Sequence, residues 1–245
     1  MRLRALCVLL TLVGIAGFAA VEKVKALREA DGNAPTSPHS PRPFRAVRKM
    51  VPASIVPIQS NDVKDLAPGT LLVASRGIID PNFAKSVVLL IHYDENEAEG
   101  LILNRRTAAP LSTLLKDFKA GNELSGRVYI GGPVQPRSMF SLLQLPTQQE
   151  GSERIFDKVY LVKSKTLFDE TVSHRPAPSI FRVYLGCALW TPDQLDKEVA
   201  LGAWFIFPPA ADAVFTEDPD SLWLQMIQKT EMNIARSEAQ QPLHF

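Results

Sequence analysis

Cysteine is nearly missing from this chain. Its 245 residues hold two, Cys7 near the N-terminus and Cys187 far downstream. With one cysteine in the folded part, an internal disulfide and any site needing two thiolates are excluded there. Charge of one sign is missing too: 27 basic residues oppose 26 acidic ones, for a net charge of +1. A dedicated nucleic-acid binder usually carries a basic face and a high pI, so that class is disfavoured. Only four histidines are present, so general bases and borderline metal ligands are in short supply. There is no Gly-x-Ser-x-Gly elbow, P-loop, dinucleotide fingerprint, EF-hand loop or His-Glu-x-x-His motif. No internal repeat is visible. Apolar content of 46% and charged content of 22% are ordinary for a soluble globular protein.

One long apolar run does occur, at residues 5–21, directly after Arg2 and Arg4. A basic start followed by an apolar stretch is the pattern of a secretory signal, and Gly17-Phe18-Ala19 suits cleavage after Ala19. An uncleaved anchor is the alternative: about 17 residues make ~25 Å of helix, a little short of the ~30 Å hydrocarbon core. Lys23, Lys25 and Arg28 follow the run and would favour a cytoplasmic domain if it were an anchor. The expectation is a signal peptide or membrane anchor at residues 1–21 and an inner-membrane or periplasmic location. A reversed anchor, or translation from Met50, would make the protein cytoplasmic. Residues 22–66 read as a linker, with Pro35, Pro38, Pro41, Pro43, Pro52 and Pro57 keeping the chain extended. Basic residues 42–49 could touch anionic headgroups. Residues 67–234, roughly 170 in number, suffice for one domain with its own core, and residues 235–245 read as a frayed tail.

Within the domain, strands dominate. Residues 71–74 form a short apolar run, and Val87, Val88, Leu89, Leu90 and Ile91 run without interruption, as in a strand covered on both faces. An acidic turn at residues 94–99 leads to a strand at 100–104, which reads as a hairpin. Leu111, Leu114, Leu115 and Phe118 are spaced as a helical stripe, with Gly121 as its stop. Further strands are expected at 128–130, 139–145, 159–162, 181–185 and 204–207. A short helix is expected at 167–172, and a C-terminal helix opens at Asp218-Pro219. In the strand at 181–185, Val183 and Leu185 alternate with Arg182 and Tyr184. Thr191-Pro192-Asp193-Gln194 combines an N-cap, proline at N1, an acid at the dipole's positive end and glutamine at N3. The fold class is mixed α+β.

Four blocks carry a more specific signal. They are Gly69-Thr70-Leu71-Leu72-Val73-Ala74 running into Asp80-Pro81-Asn82-Phe83, Gly100-Leu101-Ile102-Leu103-Asn104-Arg105, Gly131-Gly132-Pro133-Val134, and Trp190-Thr191-Pro192-Asp193-Gln194-Leu195 with Glu198. In this order they resemble the YqgE/AlgH family of small bacterial proteins. The resemblance covers about residues 66–207. It implies a strongly curved, partly barrel-like mixed sheet with short helices packed outside, and no settled biochemical activity. Asp80, Trp190, Gln194 and Glu198 match the family pattern. The chain departs from it at Cys187 and Leu189, where tyrosine and glycine usually stand, and at Asp193, where glycine is common.

Several residues are candidates for chemistry. Cys187 between Gly186 and Ala188 could pair with a histidine as a nucleophile, although small neighbours suit a packed, inert thiol. His92 with Asp94, Glu95, Glu97 and Glu99 offers metal-ligand types, although an acidic, solvated hairpin tip is the better explanation. Gln194 and Glu198 share a helix face, and a carboxylate shifted by burial could do acid–base work there, although the capping role of Gln194 and the turn at Asp80 favour structural duty. Gly131 and Gly132 could open backbone amides to an anion, or simply make a turn. Arg105 and Arg106, beside Asn104, and Arg137 place guanidinium groups near strand ends, where they could hold a carboxylate or phosphate. No complete catalytic set emerges, and no cofactor or metal is expected. The reading is a non-enzymatic binding or regulatory module whose tentative ligand surface is Asn104, Arg105, Gly131, Gly132 and Arg137. Its partner would be an unknown protein or a small anion, with membrane association through the N-terminus. The alternatives are a hydrolase or transferase using Cys187 or Glu198, and binding of an anionic ligand or nucleic acid.

Overall fold

The continuous apolar run at residues 87–91 sits in the middle of the sheet, as its lack of alternation demands. A computed structural model describes residue 60 and residues 62–239. The leader at 1–21, Met50, most of the linker and the end of the tail lie outside the described residues. Ten strands are present among them: β1 (Leu71–Ala74), β2 (Val87–Tyr93), β3 (Ala98–Ile102), β4 (Arg106–Pro110), β5 (Arg127–Ile130), β6 (Val134–Gln144), β7 (Ser152–Phe156), β8 (Val159–Val162), β9 (Phe181–Trp190) and β10 (Trp204–Phe207). Five helices accompany them: α1 (Leu111–Leu114), α2 (Lys165–Ser173), α3 (Pro192–Ala200), α4 (Ala211–Val214) and α5 (Pro219–Ala239). The main path runs β10-β1-β2-β3-β9-β6-β8-β7, and β5 joins β4 to β9. The sheet is curled into a half-barrel, and the class is mixed α+β.

Strand β9 is the hub. Along one edge it pairs antiparallel with β6, with Phe140 opposite Tyr184. Along the other edge its first half runs parallel to β5, with Tyr129 opposite Tyr184. Its second half runs antiparallel to β3, with Gly100 opposite Ala188. Gly186, at φ +71°, makes the bend between the halves. The strand therefore continues to Trp190, whereas the sequence places its end at Leu185. Apolar side chains on the two sides of the curled sheet gather into two clusters. The larger holds Leu71, Leu89, Leu101, Trp190 and Trp204; the smaller holds Leu111, Phe168, Phe181 and Val183.

Other differences have local causes. The stripe at residues 111–118 forms a single helical turn, α1, then further turns. Gly121 lies so close to the Leu115 carbonyl that a Cβ there would come within 1.8 Å of the oxygen. The chain folds back on itself before a longer helix can propagate. Leu111 and Leu115 are still buried, so the contacts that the stripe promises are made. The domain also begins before residue 67: Ser60 bridges Ile206, and Leu66 enters the core. At the other end α5 runs through Ala239, past the expected start of the tail.

Candidate functional site

The helix start at residues 191–194 forms as its signals require. Thr191 caps α3 by accepting a hydrogen bond from the Gln194 amide, and Pro192 occupies the first turn. That fixes Glu198 one turn further along, beneath two tryptophans. One Glu198 oxygen accepts from Trp204 Nε1 at 2.8 Å and from Trp190 Nε1 at 3.2 Å. The other accepts from Gln194 Nε2 at 2.9 Å. Phe83 packs on both indoles, with ring centroids 5.6 and 5.8 Å away, and the indoles meet edge to face. Asp80 shapes the turn that delivers Phe83 by accepting from the Asn82 amide at 2.8 Å. The family-motif residues Asp80, Trp190, Gln194 and Glu198 thus join α3, β9, β10 and the loop after β1 into one clamp. Each aromatic pair contributes about 0.5–1.5 kcal/mol beyond burial.

The tentative ligand residues are brought together only in part. Asn104 is bonded at both ends of its amide, accepting from the Val87 amide at 2.8 Å and donating to the Lys85 carbonyl at 2.9 Å. Arg105 donates to the Pro81 carbonyl at 2.8 Å, which ties it to the Phe83 loop. Gly131 and Gly132 are buried where β5 leaves β9. A Cβ on either would come within 2.2 Å of the backbone at Gly186 or Cys187. The Gly131 amide already donates to the Leu185 carbonyl at 2.8 Å. The glycine pair is there so that two backbones can touch. Arg137 is exposed on β6.

Cys187 is fully buried, 0% exposed. Its companion is Glu99 on β3, only 8% exposed. Burial pushes the Glu99 carboxyl up, and a hydrogen bond with the Cys187 thiol opposes that shift. One Glu99 oxygen has no hydrogen-bond partner. His92 instead meets Asp94 at 3.1 Å at the hairpin tip. There the Asn96 and Glu97 amides hold the Asp94 carboxyl down at about 2. Among the described residues no three histidine, cysteine or acidic side chains are grouped to hold a metal.

A second buried charge is not foreshadowed by the alternation in β9. Arg182 is 4% exposed and Tyr184 is fully buried, so β9 is covered on both faces and neither residue is on a polar side. The Arg182 guanidinium lies 4.9 Å over the Tyr129 ring and donates to the Thr216 carbonyl. Its Nε and Nη1 and the Tyr184 hydroxyl meet no hydrogen-bond geometry, yet Arg182 and Tyr184 are neighbours: burial pushes the Tyr184 pKa up, and the Arg182 guanidinium beside it opposes that rise. Arg182 borders a cavity of about 360 Å³ between β4, β5, β9 and the segment after α4, which Arg106, Arg127, Tyr129 and Thr216 also line. Arg106 is paired with Asp220 at the start of α5, and Arg127 donates to the Ala108 carbonyl. Burial raises the Tyr129 pKa against the opposing charges of Arg182 and Arg106, so the phenol stays protonated. The available signal is an arginine within an otherwise apolar central strand.

A curled, half-barrel sheet with five accompanying helices defines the class of fold. The chain belongs to the AlgH-like family, whose model matches residues 71–235. A UPF0301 protein from Myxococcus xanthus is 34% identical over 164 residues, spanning 66% of this chain and 88% of that protein. A UPF0301 protein from Shewanella loihica is 30% identical, spanning 69% and 94%. The crystal structure of a Corynebacterium diphtheriae protein is similar in fold, with a TM-score of 0.58, 23% identity and coverage of 73% of this chain and 89% of that one. The solution structure of AlgH from Pseudomonas aeruginosa gives 0.55, 23%, 73% and 95%.

Proposed function

We propose that this protein is a non-enzymatic binding or regulatory module, held at or exported across the bacterial inner membrane by residues 1–21. Its binding seat is the cavity beside Arg182, which replaces the surface around Gly131 and Gly132 as the favoured place. One observation carries the reading: Arg182 is a buried charge that borders a cavity, and two of its nitrogens lack a hydrogen-bond partner. A buried guanidinium without a counter-charge is expensive, so a site that keeps one is arranged for something that supplies it. The residues that could have served chemistry are otherwise engaged. Glu198 accepts three N–H donors, and Cys187 is sealed from solvent. That geometry disfavours the hydrolase or transferase alternative.

Native mass spectrometry of the protein purified gently from its own cells tests the reading. A small bound species is expected on the wild type and should be lost in Arg127→Ala and Arg182→Met. No adduct, or one retained equally by both variants, would remove the cavity as the seat. Location is tested separately with a C-terminal tag. Protease sensitivity in spheroplasts is expected, and protection would rule out export.

A further inference from the structure

Glu99 is a buried acid that neither the cavity nor the clamp uses. It is on β3, in register with His92 of β2 on one edge and with Leu189 of β9 on the other. Its carboxyl is buried, and Oε1 has no hydrogen-bond partner. The groups that face it come from several elements. His92 stands opposite on β2, but its Nε2 lies 3.1 Å from Asp94. Glu97, in the turn before β3, adds a like charge. Cys187 on β9 hydrogen-bonds the carboxyl, and a thiol is a weak donor. Lys163, directly after β8, supplies positive charge, and its Nζ lies 3.2 Å from Glu153 on β7. Burial pushes the Glu99 carboxyl up, against the Cys187 thiol; Glu97 adds to the rise, and Lys163 and His92 oppose it.

A neutral Glu99 fits this setting. An ionised one, with an oxygen that nothing answers, is costly unless a counter-charge arrives. The Lys163–Glu153 pair is exposed on both sides, and exposed pairs contribute little. Giving up that pair to answer a buried carboxylate is the favourable exchange. The flexible lysine stem lets the ammonium move without a change of backbone. We infer that Glu99, Lys163 and Glu153 form a proton-operated switch. With Glu99 protonated, Lys163 stays on Glu153 and ties β7 to the end of β8. With the proton gone, Lys163 turns to Glu99 and links the end of β8 to β3. The exchange occurs as pH rises through the folded-state value of Glu99, above the usual carboxylate range. In the sheet β9 and β6 lie between β3 and β8, so the new link spans the curl and tightens it, while β7 at the end of the path loses a tie. This goes beyond the binding reading and does not depend on the cavity.

A pH titration of the purified protein by NMR tests the switch, following the carboxyl carbons of Glu99 and Glu153 and the Nζ of Lys163 at constant ionic strength. The Glu99 carbon should titrate above the usual carboxylate range, and the Lys163 and Glu153 signals should step at the same midpoint. Glu153→Gln frees Lys163 beforehand, so the Glu99 midpoint should fall. Lys163→Met removes the counter-charge, so the midpoint should rise. Glu99→Gln should abolish the shared step at Lys163 and Glu153. Lys163 and Glu153 are exposed, so their variants carry the test if Glu99→Gln fails to fold. A Glu99 midpoint unchanged in either surface variant, a Lys163 signal that does not follow Glu99, a step that persists in Glu99→Gln, or a Glu99 that never ionises in the folded protein would overturn the proposal.

Discussion

Glu198 is half-buried and Arg182 is buried, and the fold treats the two charges in opposite ways. Around Glu198, two indoles and one amide converge on the carboxylate. Around Arg182, one carbonyl accepts, one aromatic ring lies beneath, and two nitrogens are left without partners. The first arrangement is complete in itself and serves as a fastener. The second is incomplete and needs something from outside. The residues that the sequence reading matched to a family pattern fall in the completed site, where they serve architecture. The residues with capacity to bind are elsewhere.

The largest expected effect tests the completed site. Glu198→Ala leaves two buried indole N–H groups without an acceptor, at roughly 1–3 kcal/mol each. Denaturant melts should show a total loss of about 2–6 kcal/mol, and a loss under 1 kcal/mol would mean that the clamp does not fasten the fold. Arg182→Met should behave differently in the absence of any ligand. Replacing an uncompensated buried charge with an apolar side chain of similar length is often neutral or stabilising, so stability should stay within about 1 kcal/mol of wild type. A loss as large as that of Glu198→Ala would mean that Arg182 is also a fastener.

Glu99, buried like Arg182, extends the contrast to pH. Its carboxyl is raised, mainly by burial. The stability it supports is therefore present while it is protonated, at acidic pH, and is lost as pH rises through its folded-state value. Glu99→Gln should raise Tm at pH 8 by a few degrees, taking about 2–4 °C per kcal/mol for a domain of this size, and should change little at pH 4. A uniform shift across pH would point to packing instead. Cys187 beside it should resist a mild thiol reagent until the protein unfolds; rapid labelling of the folded protein would reopen the thiol-enzyme alternative. Asp94 should give the smallest effect. Held down at about 2, it favours folding above the usual carboxylate range, and that contribution is lost as pH falls towards 2. Asp94→Asn should slightly flatten the acid limb of a stability profile.

Much of the frame was legible in the residues. The apolar run in β2, the acidic turn and the return in β3 read as a hairpin and form one. The capping signals at Thr191 identify the start of α3 to the residue. Legibility failed where the cause is distant in sequence. β4 has no apolar run, and it forms because β5 lies alongside. Gly131 and Gly132 read as a turn or an anion cradle, yet what requires them is the backbone at Gly186 and Cys187. Arg182 alternates with apolar residues as a surface residue would. Only its position in a strand flanked on both edges, and covered on both faces, reveals its burial.

The central place of β9 bears on how the chain can assemble during synthesis. Its partners β3, β5 and β6 all emerge from the ribosome before Phe181 does. Until β9 appears, each of them presents an edge that cannot yet be closed, and open edges invite pairing with other chains. A nascent chain halted before Phe181 should therefore be a sticky intermediate and a client for chaperones. Release of ten further residues, Phe181–Trp190, would let the three strands close at once. Folding of this domain should look abrupt, late and sensitive to where translation pauses.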